Sequence, residues 1–249
     1  MRAPIFLLVT GILFSSSVFA ASGGHALMHA NNDLSDRASL QRGARTFVNY
    51  CLSCHSAAYM RFNRIGQDLG ISDDILKSNL MFGTDKTGDT MTIAMTKLDA
   101  ESYFGGAAPP DLSVTARSKG VDWLYTYFMT FYRDSSRPFG VNNLAFKDVS
   151  MPHVLWELQG WQRPVFDEEQ HKDGSVTKKI VHLEQETEGT QSPQEYAVTV
   201  RDLVNFMDYI GEPIKLKRHK IGFWAIFYLL LILLPIVYLL KKEYWKDVH

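Results

Sequence analysis

The chain has 249 residues and a formal net charge of −1, with 21% charged and 46% hydrophobic residues. The near-neutral charge excludes a nucleic-acid-binding protein that relies on a basic surface, and the hydrophobic content excludes an intrinsically disordered chain. We find no internal repeat, so the sequence predicts one folded domain with a sizeable core.

The amino terminus has the pattern of a secretory signal peptide. Arg2 precedes a short apolar run that Gly11 interrupts, and small residues then lead to Ala20. The run is too short to anchor the chain in a membrane, so we expect cleavage after Ala20. Residues 1–20 are therefore predicted to be the signal peptide, and residues 21–214 to be a domain exported across a membrane.

Cys51, Cys54 and His55 form the motif Cys-x-x-Cys-His, which is typical of c-type haem attachment and uses both cysteines of the chain. Residues three or four apart share one face of a helical turn, so both thiols can bond to one porphyrin while the imidazole ligates its iron. A thioredoxin-like site would require a βαβ unit, a zinc site would require two further ligands, and a structural disulfide would leave His55 unexplained. The sequence predicts one covalently bound haem c at the end of an amphipathic helix, whose apolar positions are Leu40, Ala44, Phe47, Val48 and Cys51.

Shorter elements are predicted in the middle of the chain. Residues 73–80 follow Ser72 as a short helix, and residues 121–132 form a longer helix with an aromatic side. Asp173-Gly174 followed by residues 175–183 predicts a β-hairpin at the surface. No extended sheet is indicated, so the fold class is mainly α.

A strongly marked helix begins at Ser192, because this residue offers an N-cap, Pro193 occupies the first turn and Glu195 completes a capping box. Gly211 and Pro213 end the helix. Its buried face is predicted to contain Tyr196, Val200, Leu203, Val204, Met207 and Ile210.

The carboxy-terminal part contains a predicted transmembrane helix. Residues 221–240 include no charged residue, and at 1.5 Å per residue they span the roughly 30 Å of a hydrocarbon core. A short stiff link, residues 212–220, would hold the domain close to the bilayer. Because the amino terminus is exported, we expect residues 241–249 to be cytoplasmic and the haem domain to face the periplasm of a bacterial inner membrane.

The second axial ligand of the haem is predicted from the methionines. A haem that only transfers electrons has both axial positions filled, and a methionine sulfur raises its potential relative to harder ligands. Met151 is favoured because Pro152 removes it from helical geometry. His153 is the competing ligand, and an open position would suit a gas sensor or a catalyst. The other methionines outside the signal peptide and the predicted helices are Met28, Met60, Met81, Met91 and Met95.

The haem motif, the block Ala-Pro-Pro-Asp-Leu-Ser at 108–113, Met151-Pro152 and the carboxy-terminal span occur in an order that resembles the cytochrome c1 family. Members of this family are haem subunits of ubiquinol:cytochrome c reductase, the bc1 complex. The resemblance covers essentially the whole chain, and residues 140–144 and 239–249 resemble proteobacterial members in particular. It implies a c-type cytochrome domain with insertions and one carboxy-terminal transmembrane helix.

The resemblance also implies roles for individual residues. Cys51 and Cys54 would form the thioethers, and His55 and Met151 would be the two iron ligands. Arg117 would pair with a haem propionate. Ser118 and Lys119 follow where relatives carry a second arginine, which leaves open the cation that meets the propionate. The additional disulfide of some bacterial relatives is excluded, because the haem motif uses both cysteines.

The resemblance implies an oxidoreductase subunit with no substrate-transforming site of its own. It would pass one electron at a time from a Rieske iron-sulfur protein to a soluble or membrane-bound cytochrome c, beside a cytochrome b subunit in a dimeric complex. Alternatives are a membrane-tethered haem sensor, a peroxidase-like enzyme, and a monohaem subunit of a terminal oxidase, which the block at 108–113 disfavours. The acidic residues of 167–169 with Glu184, Glu186 and Glu188 are a candidate steering surface for a basic carrier.

Overall fold

The computed structural model describes residues 26–104, 106, 108–170 and 176–246. The predicted signal peptide and the Asp173-Gly174 turn lie outside the described residues, as do the last three residues of the predicted tail. The helices that precede the long carboxy-terminal helix are α1 (Arg37–Tyr50), α2 (Phe62–Leu69), α3 (Asp73–Asn79), α4 (Lys97–Tyr103), α5 (Thr115–Lys119), α6 (Val121–Met129), α7 (Trp156–Gln159) and α8 (Pro193–Gly211). The strands are β1 (Ala57–Arg61), β2 (Thr90–Met91), β3 (Phe131–Arg133), β4 (Val141–Asn143), β5 (Gly160–Gln170) and β6 (Val176–Glu188).

Helices α1 and α8 pack against each other in the hydrophobic core. They approach closely at Gly43, where an added Cβ would lie 2.0 Å from the carbonyl oxygen of Asp202. Beside this contact the fully buried rings of Phe47 and Phe206 lie 5.5 Å apart. All five predicted apolar positions of α1 are buried, so the helix that leads into the haem motif is confirmed.

The start of α8 is the predicted capping box. The Ser192 hydroxyl accepts a hydrogen bond from the Glu195 N–H over 3.3 Å, and the Glu195 carboxylate accepts one from the Ser192 N–H over 2.9 Å. The six residues predicted for the apolar face are all buried. This helix is therefore confirmed from its N-cap to its end at Gly211.

Helix α6 is shorter than predicted. It ends at Met129 rather than at residue 132, and Phe131 begins strand β3, which pairs antiparallel with β4. The Thr130 hydroxyl donates to the Thr126 carbonyl oxygen over 2.7 Å and closes the last turn. The apolar pattern continues past this end because Phe131 remains in the core, 1% exposed.

The strands form only two-stranded antiparallel sheets in the described part of the chain, β1 with β2, β3 with β4, and β5 with β6. This confirms the mainly α fold class. The predicted hairpin is present but longer than expected, since β5 pairs with β6 from Gly160 opposite Glu188 to Gln170 opposite Val176.

One long helix follows α8, running from Lys215 to Tyr244, with the length and composition needed to cross a membrane. It consists of α9 (Lys215–Tyr228), a π-helical segment (Leu229–Leu233), α10 (Leu234–Leu239) and a second π-helical segment (Leu240–Tyr244). Pro235 lies two residues after the end of the first π-helical segment and has no N–H to donate. The predicted link of residues 212–220 is wrong in its extent, because the helix already begins at Lys215.

Ion pairs join the two sides of this short link. Lys215 donates to both carboxylate oxygens of Asp208 at 2.9 Å. Glu212 accepts hydrogen bonds from Arg218, and its carboxylate lies 3.9 Å from the guanidinium of Arg117. The last turn of α8 is thus tied to the first turn of the long carboxy-terminal helix.

Candidate haem site

A cavity of about 420 Å³ lies beside the Cys-x-x-Cys-His turn, and most of its wall is apolar. Its volume lies in the range of ligand-binding pockets. Four of the five predicted site residues line it, and Arg117 does not. The lining residues that matter for the chemistry are Cys51, Cys54, His55, Lys119, Tyr127 and Met151.

The two cysteines occupy the turn that continues α1. Cys51 is the C-cap of this helix, and the backbone N–H groups of Cys54 and His55 both donate to the Cys51 carbonyl oxygen, over 3.1 and 2.9 Å. This turn brings both cysteines to the wall of one cavity, as thioether attachment requires. Both cysteines are free thiols rather than a disulfide.

The environment of Cys51 does not favour redox or metal chemistry at sulfur. Burial raises the pKa of the Cys51 thiol to about 12, so the thiolate that such reactions need is not formed at neutral pH. Within the described residues, no group of three histidine, cysteine or acidic side chains is arranged to hold a metal ion. The site fits covalent attachment of a porphyrin better than a zinc or dithiol site.

The imidazole of His55 is fixed by a backbone contact. Its Nδ1 atom lies 2.7 Å from the carbonyl oxygen of Pro110, and a carbonyl can only accept, so Nδ1 carries the proton. Burial lowers the pKa of His55, which keeps the ring neutral. The Nε2 atom therefore has a free lone pair, which is the form of histidine that ligates iron.

Asp111 holds the loop that carries Pro110. Its carboxylate accepts hydrogen bonds from the backbone N–H groups of Ala58 and Ser113, over 2.9 and 2.8 Å. Burial raises the pKa of Asp111, but the hydrogen bonds from Ser113 and Ala58 outweigh that effect and lower it below its usual value. The Pro-Pro-Asp-Leu-Ser block is thus positioned by its own aspartate.

Two methionines line the cavity, Met151 from a loop and Met207 from the buried face of α8. The Met151 sulfur accepts a hydrogen bond from the Tyr127 hydroxyl over 3.3 Å. Met207 is 1% exposed and lies on a face that the sequence assigned to packing. Among the other candidates, Met60, Met81 and Met91 are buried in the core away from the cavity.

His153, the competing ligand, is not at the cavity. It is 4% exposed, and its ring stacks on Phe131 with 4.8 Å between ring centroids and 4° between planes. Burial lowers the pKa of His153 to about 4, so the ring is neutral inside the core. The structure therefore places His153 neither at the cavity nor on the surface.

The two candidate cations of α5 point in different directions. Arg117 is largely exposed and lies beside Glu212, whereas Lys119 lines the cavity. The Lys119 ammonium is also 5.3 Å from the centre of the Trp123 ring. Residues two positions apart do not share a helix face, so one of the pair is directed away from the cavity. The role predicted for Arg117 therefore stays a prediction, and Lys119 is a second candidate because it lines the cavity.

The acidic residues of the hairpin are partly neutralised. Glu184 pairs with Arg163 over 2.8 Å, and Glu186 pairs with Arg133 over 3.1 Å. The side chains of residues 168 and 169 lie outside the described part. These ion pairs weaken the negative field that the steering hypothesis needs.

Tyr127 is the site residue that the sequence interpretation missed. It belongs to the aromatic side of α6, which predicted only core packing. No sequence signal separates this tyrosine from its neighbours, because its contact with Met151 joins residues that are distant along the chain.

Comparison with known proteins shows the family of the chain. The sequence model of the cytochrome C1 family matches residues 29–248. The chain is 50% identical to cytochrome c1 of Allochromatium vinosum over 96% of both chains, and 23% identical to cytochrome c1 of Rhodospirillum rubrum over 86% of this chain and 83% of the relative. It is also 46% identical, over the full length of both chains, to a protein of Nitrosomonas europaea named ammonia monooxygenase gamma subunit. The family match and the identity to the Allochromatium protein show that the chain belongs to the cytochrome c1 family.

Proposed function

We propose that the chain is the haem-carrying electron-transfer subunit of a bc1-type ubiquinol:cytochrome c reductase. Membership of the cytochrome c1 family supports the general role, a haem subunit in electron transport. The observation that carries the proposal is that the Cys-x-x-Cys-His turn and Met151 line a single cavity.

The residues of the cavity fit one c-type haem. Cys51 and Cys54 would hold it through thioethers, and His55 would present the Nε2 lone pair that its bond to Pro110 leaves free. Met151 would supply the second protein ligand of the iron through its sulfur. When bound, the haem supplies an iron that accepts and releases one electron. Most of the cavity wall is apolar, and an apolar environment together with a methionine ligand would favour a high reduction potential.

Lys119 is the cation we propose for a haem propionate. It lines the cavity, and its approach to the Trp123 ring holds its long side chain on that side. Arg117 is directed instead toward Glu212, at the end of α8. In this assignment Arg117 supports the membrane-proximal part of the domain.

The partners are proposed from the family. The electron would come from a Rieske iron-sulfur protein and leave to a cytochrome c, with a cytochrome b subunit beside the membrane helix in a dimeric complex. We propose that residues 1–20 are a signal peptide, 21–214 the periplasmic domain, 221–240 the membrane span and 241–249 the cytoplasmic tail. Neither a catalytic acid nor a catalytic base is required for a one-electron relay.

The relative from Nitrosomonas europaea supports a second candidate, a subunit that associates with an ammonia monooxygenase. Purification of the native complex distinguishes between the two candidate functions. Copurification of a cytochrome b and an iron-sulfur protein supports the first proposal, whereas copurification of a monooxygenase supports the second.

The haem assignment is tested by Met151→Leu, with Met207→Leu as the matched control because both side chains line the cavity. The unaltered holoprotein should bind carbon monoxide poorly in the ferrous state. Met151→Leu should bind it readily and lower the midpoint potential, while Met207→Leu should change neither. Ready binding to the unaltered protein would instead indicate an open-site sensor or peroxidase-like enzyme.

A further inference from the structure

The hydroxyl group of Tyr127 has a defined partner in the cavity. Its Oη atom lies 3.3 Å from the sulfur of Met151. A thioether has no hydrogen to donate, so the phenol is the donor and the sulfur is the acceptor. The sulfur carries two lone pairs, and one of them remains for the iron when the other accepts this bond.

The position of the Tyr127 ring is determined by its neighbours. The ring stacks on Trp123, with 5.2 Å between centroids and 15° between planes, and it meets Phe131 edge-on at 5.0 Å. The Tyr127 carbonyl oxygen accepts a hydrogen bond from the side chain of Asn143 over 2.6 Å. Asn143 belongs to β4, which precedes the loop of Met151. The same contacts therefore hold both the donor and the start of the acceptor's loop.

We propose that Tyr127 is a positioning residue for the haem iron, acting through Met151. Its hydrogen bond holds the sulfur in place and draws electron density from it. Ferric iron depends more than ferrous iron on electron donation from its ligands. A less donating sulfur therefore destabilises the ferric state more, and the hydrogen bond raises the reduction potential of the haem. This inference rests on the proposed ligation of the haem by Met151.

The test is Tyr127→Phe in the full-length holoprotein within its native complex. The substitution keeps the ring and removes only the hydroxyl. At a fixed ambient potential the ratio of ferrous to ferric haem should fall about two- to tenfold, the range set by the free energy of one hydrogen bond. The near-infrared charge-transfer band from methionine sulfur to ferric iron should shift as well.

Tyr125→Phe is the matched control, because Tyr125 lies on the same helix, is also buried and does not line the cavity. It should leave the midpoint potential and the charge-transfer band unchanged. An unchanged potential in Tyr127→Phe, a rise in that potential, or an equal shift in Tyr125→Phe overturns the inference.

Two further measurements separate this inference from the proposed function. In a Met151→Leu background, Tyr127→Phe should cause no additional shift. If Met151→Leu alone changes nothing, the ligation itself is wrong; if Met151→Leu shifts the potential and Tyr127→Phe does not, only this inference fails. In the unaltered ferrous protein, NMR should show a slowly exchanging Tyr127 hydroxyl proton close to the Met151 methyl group, and its absence also overturns the inference.

Discussion

The Nδ1 atom of His55 donates to the carbonyl oxygen of Pro110 over 2.7 Å and joins two motifs that are separate in the sequence. The Cys-x-x-Cys-His turn carries the proposed iron ligand, and the Pro-Pro-Asp-Leu-Ser block fixes its tautomer and ring orientation. The second motif would thus act on the haem through a backbone atom rather than a side chain.

Asp111→Ala should loosen this contact. Two backbone N–H groups, those of Ala58 and Ser113, lose their acceptor, so we expect a loss of about 1 kcal/mol in the free energy of unfolding. Chemical denaturation of the holoprotein measures this change, and Asp85→Ala at an exposed position is the control. Equal stability of both variants would show that Asp111 does not hold the loop.

Gly43→Ala should be strongly destabilising. The added methyl carbon would lie 2.0 Å from the Asp202 carbonyl oxygen and 2.7 Å from the Phe206 Cβ, so α1 and α8 must separate. The expected cost is about 3 kcal/mol, measured by thermal or chemical unfolding. Gly88→Ala is the control, since an added Cβ there meets nothing within 4 Å. A small effect at residue 43 would contradict the close helix contact.

Ser192→Ala should remove the N-cap of α8 at a cost of about 1 kcal/mol, and Ser192→Asp should restore most of it. The backbone N–H and the hydroxyl of Ser192 lower the pKa of Glu195 from its usual 4.5. The Glu195 carboxylate therefore contributes to the stability of the folded chain above pH 4.5. This contribution is lost as the pH falls through the lowered pKa that Glu195 has in the folded state. Denaturation between pH 3 and 7 compares the unaltered chain with Glu195→Gln, whose stability should depend less on pH in the acidic range.

Lys119→Gln and Arg117→Gln should differ in their effect on the haem. A cation beside the cavity stabilises the ferrous state, which carries one positive charge fewer at the iron, so removing Lys119 should lower the ferrous-to-ferric ratio by up to about fivefold. Arg117 lies beside Glu212, and its removal should leave the ratio unchanged. A redox titration measures the ratio in each variant. A larger effect of Arg117→Gln than of Lys119→Gln would indicate that Arg117 is the residue that pairs with the propionate.

Local signals in the sequence were sufficient for the haem motif, α1 and α8. The spacing from Leu40 to Cys51 and the Ser192 capping box each determine structure within a few residues. The sequence predicts the end of α6 at residue 132, whereas the helix ends at Met129. The apolar pattern continues through Phe131 because its side chain stays in the core, although its backbone pairs with Asn143 of β4.

Contacts between distant residues account for the remaining differences. The choice between Arg117 and Lys119 depends on which face of the short α5 helix meets the cavity, and neither residue type nor spacing encodes this. Histidine is a common iron ligand, so the sequence allowed His153 as a candidate. In the structure its ring stacks on the ring of Phe131 instead. The bond between Tyr127 and Met151 likewise depends on how the loop after β4 returns to α6.

The ion pairs at the end of α8 have a consequence for the geometry of electron delivery. Met207 lines the cavity from the same helix whose last turn, through Asp208 and Glu212, is bonded to Lys215 and Arg218 of the long carboxy-terminal helix. On the proposed membrane topology, these ion pairs would fix the height and tilt of the cavity above the lipid surface. The subunit would then stay in place, and the proteins that deliver and remove the electron would have to move.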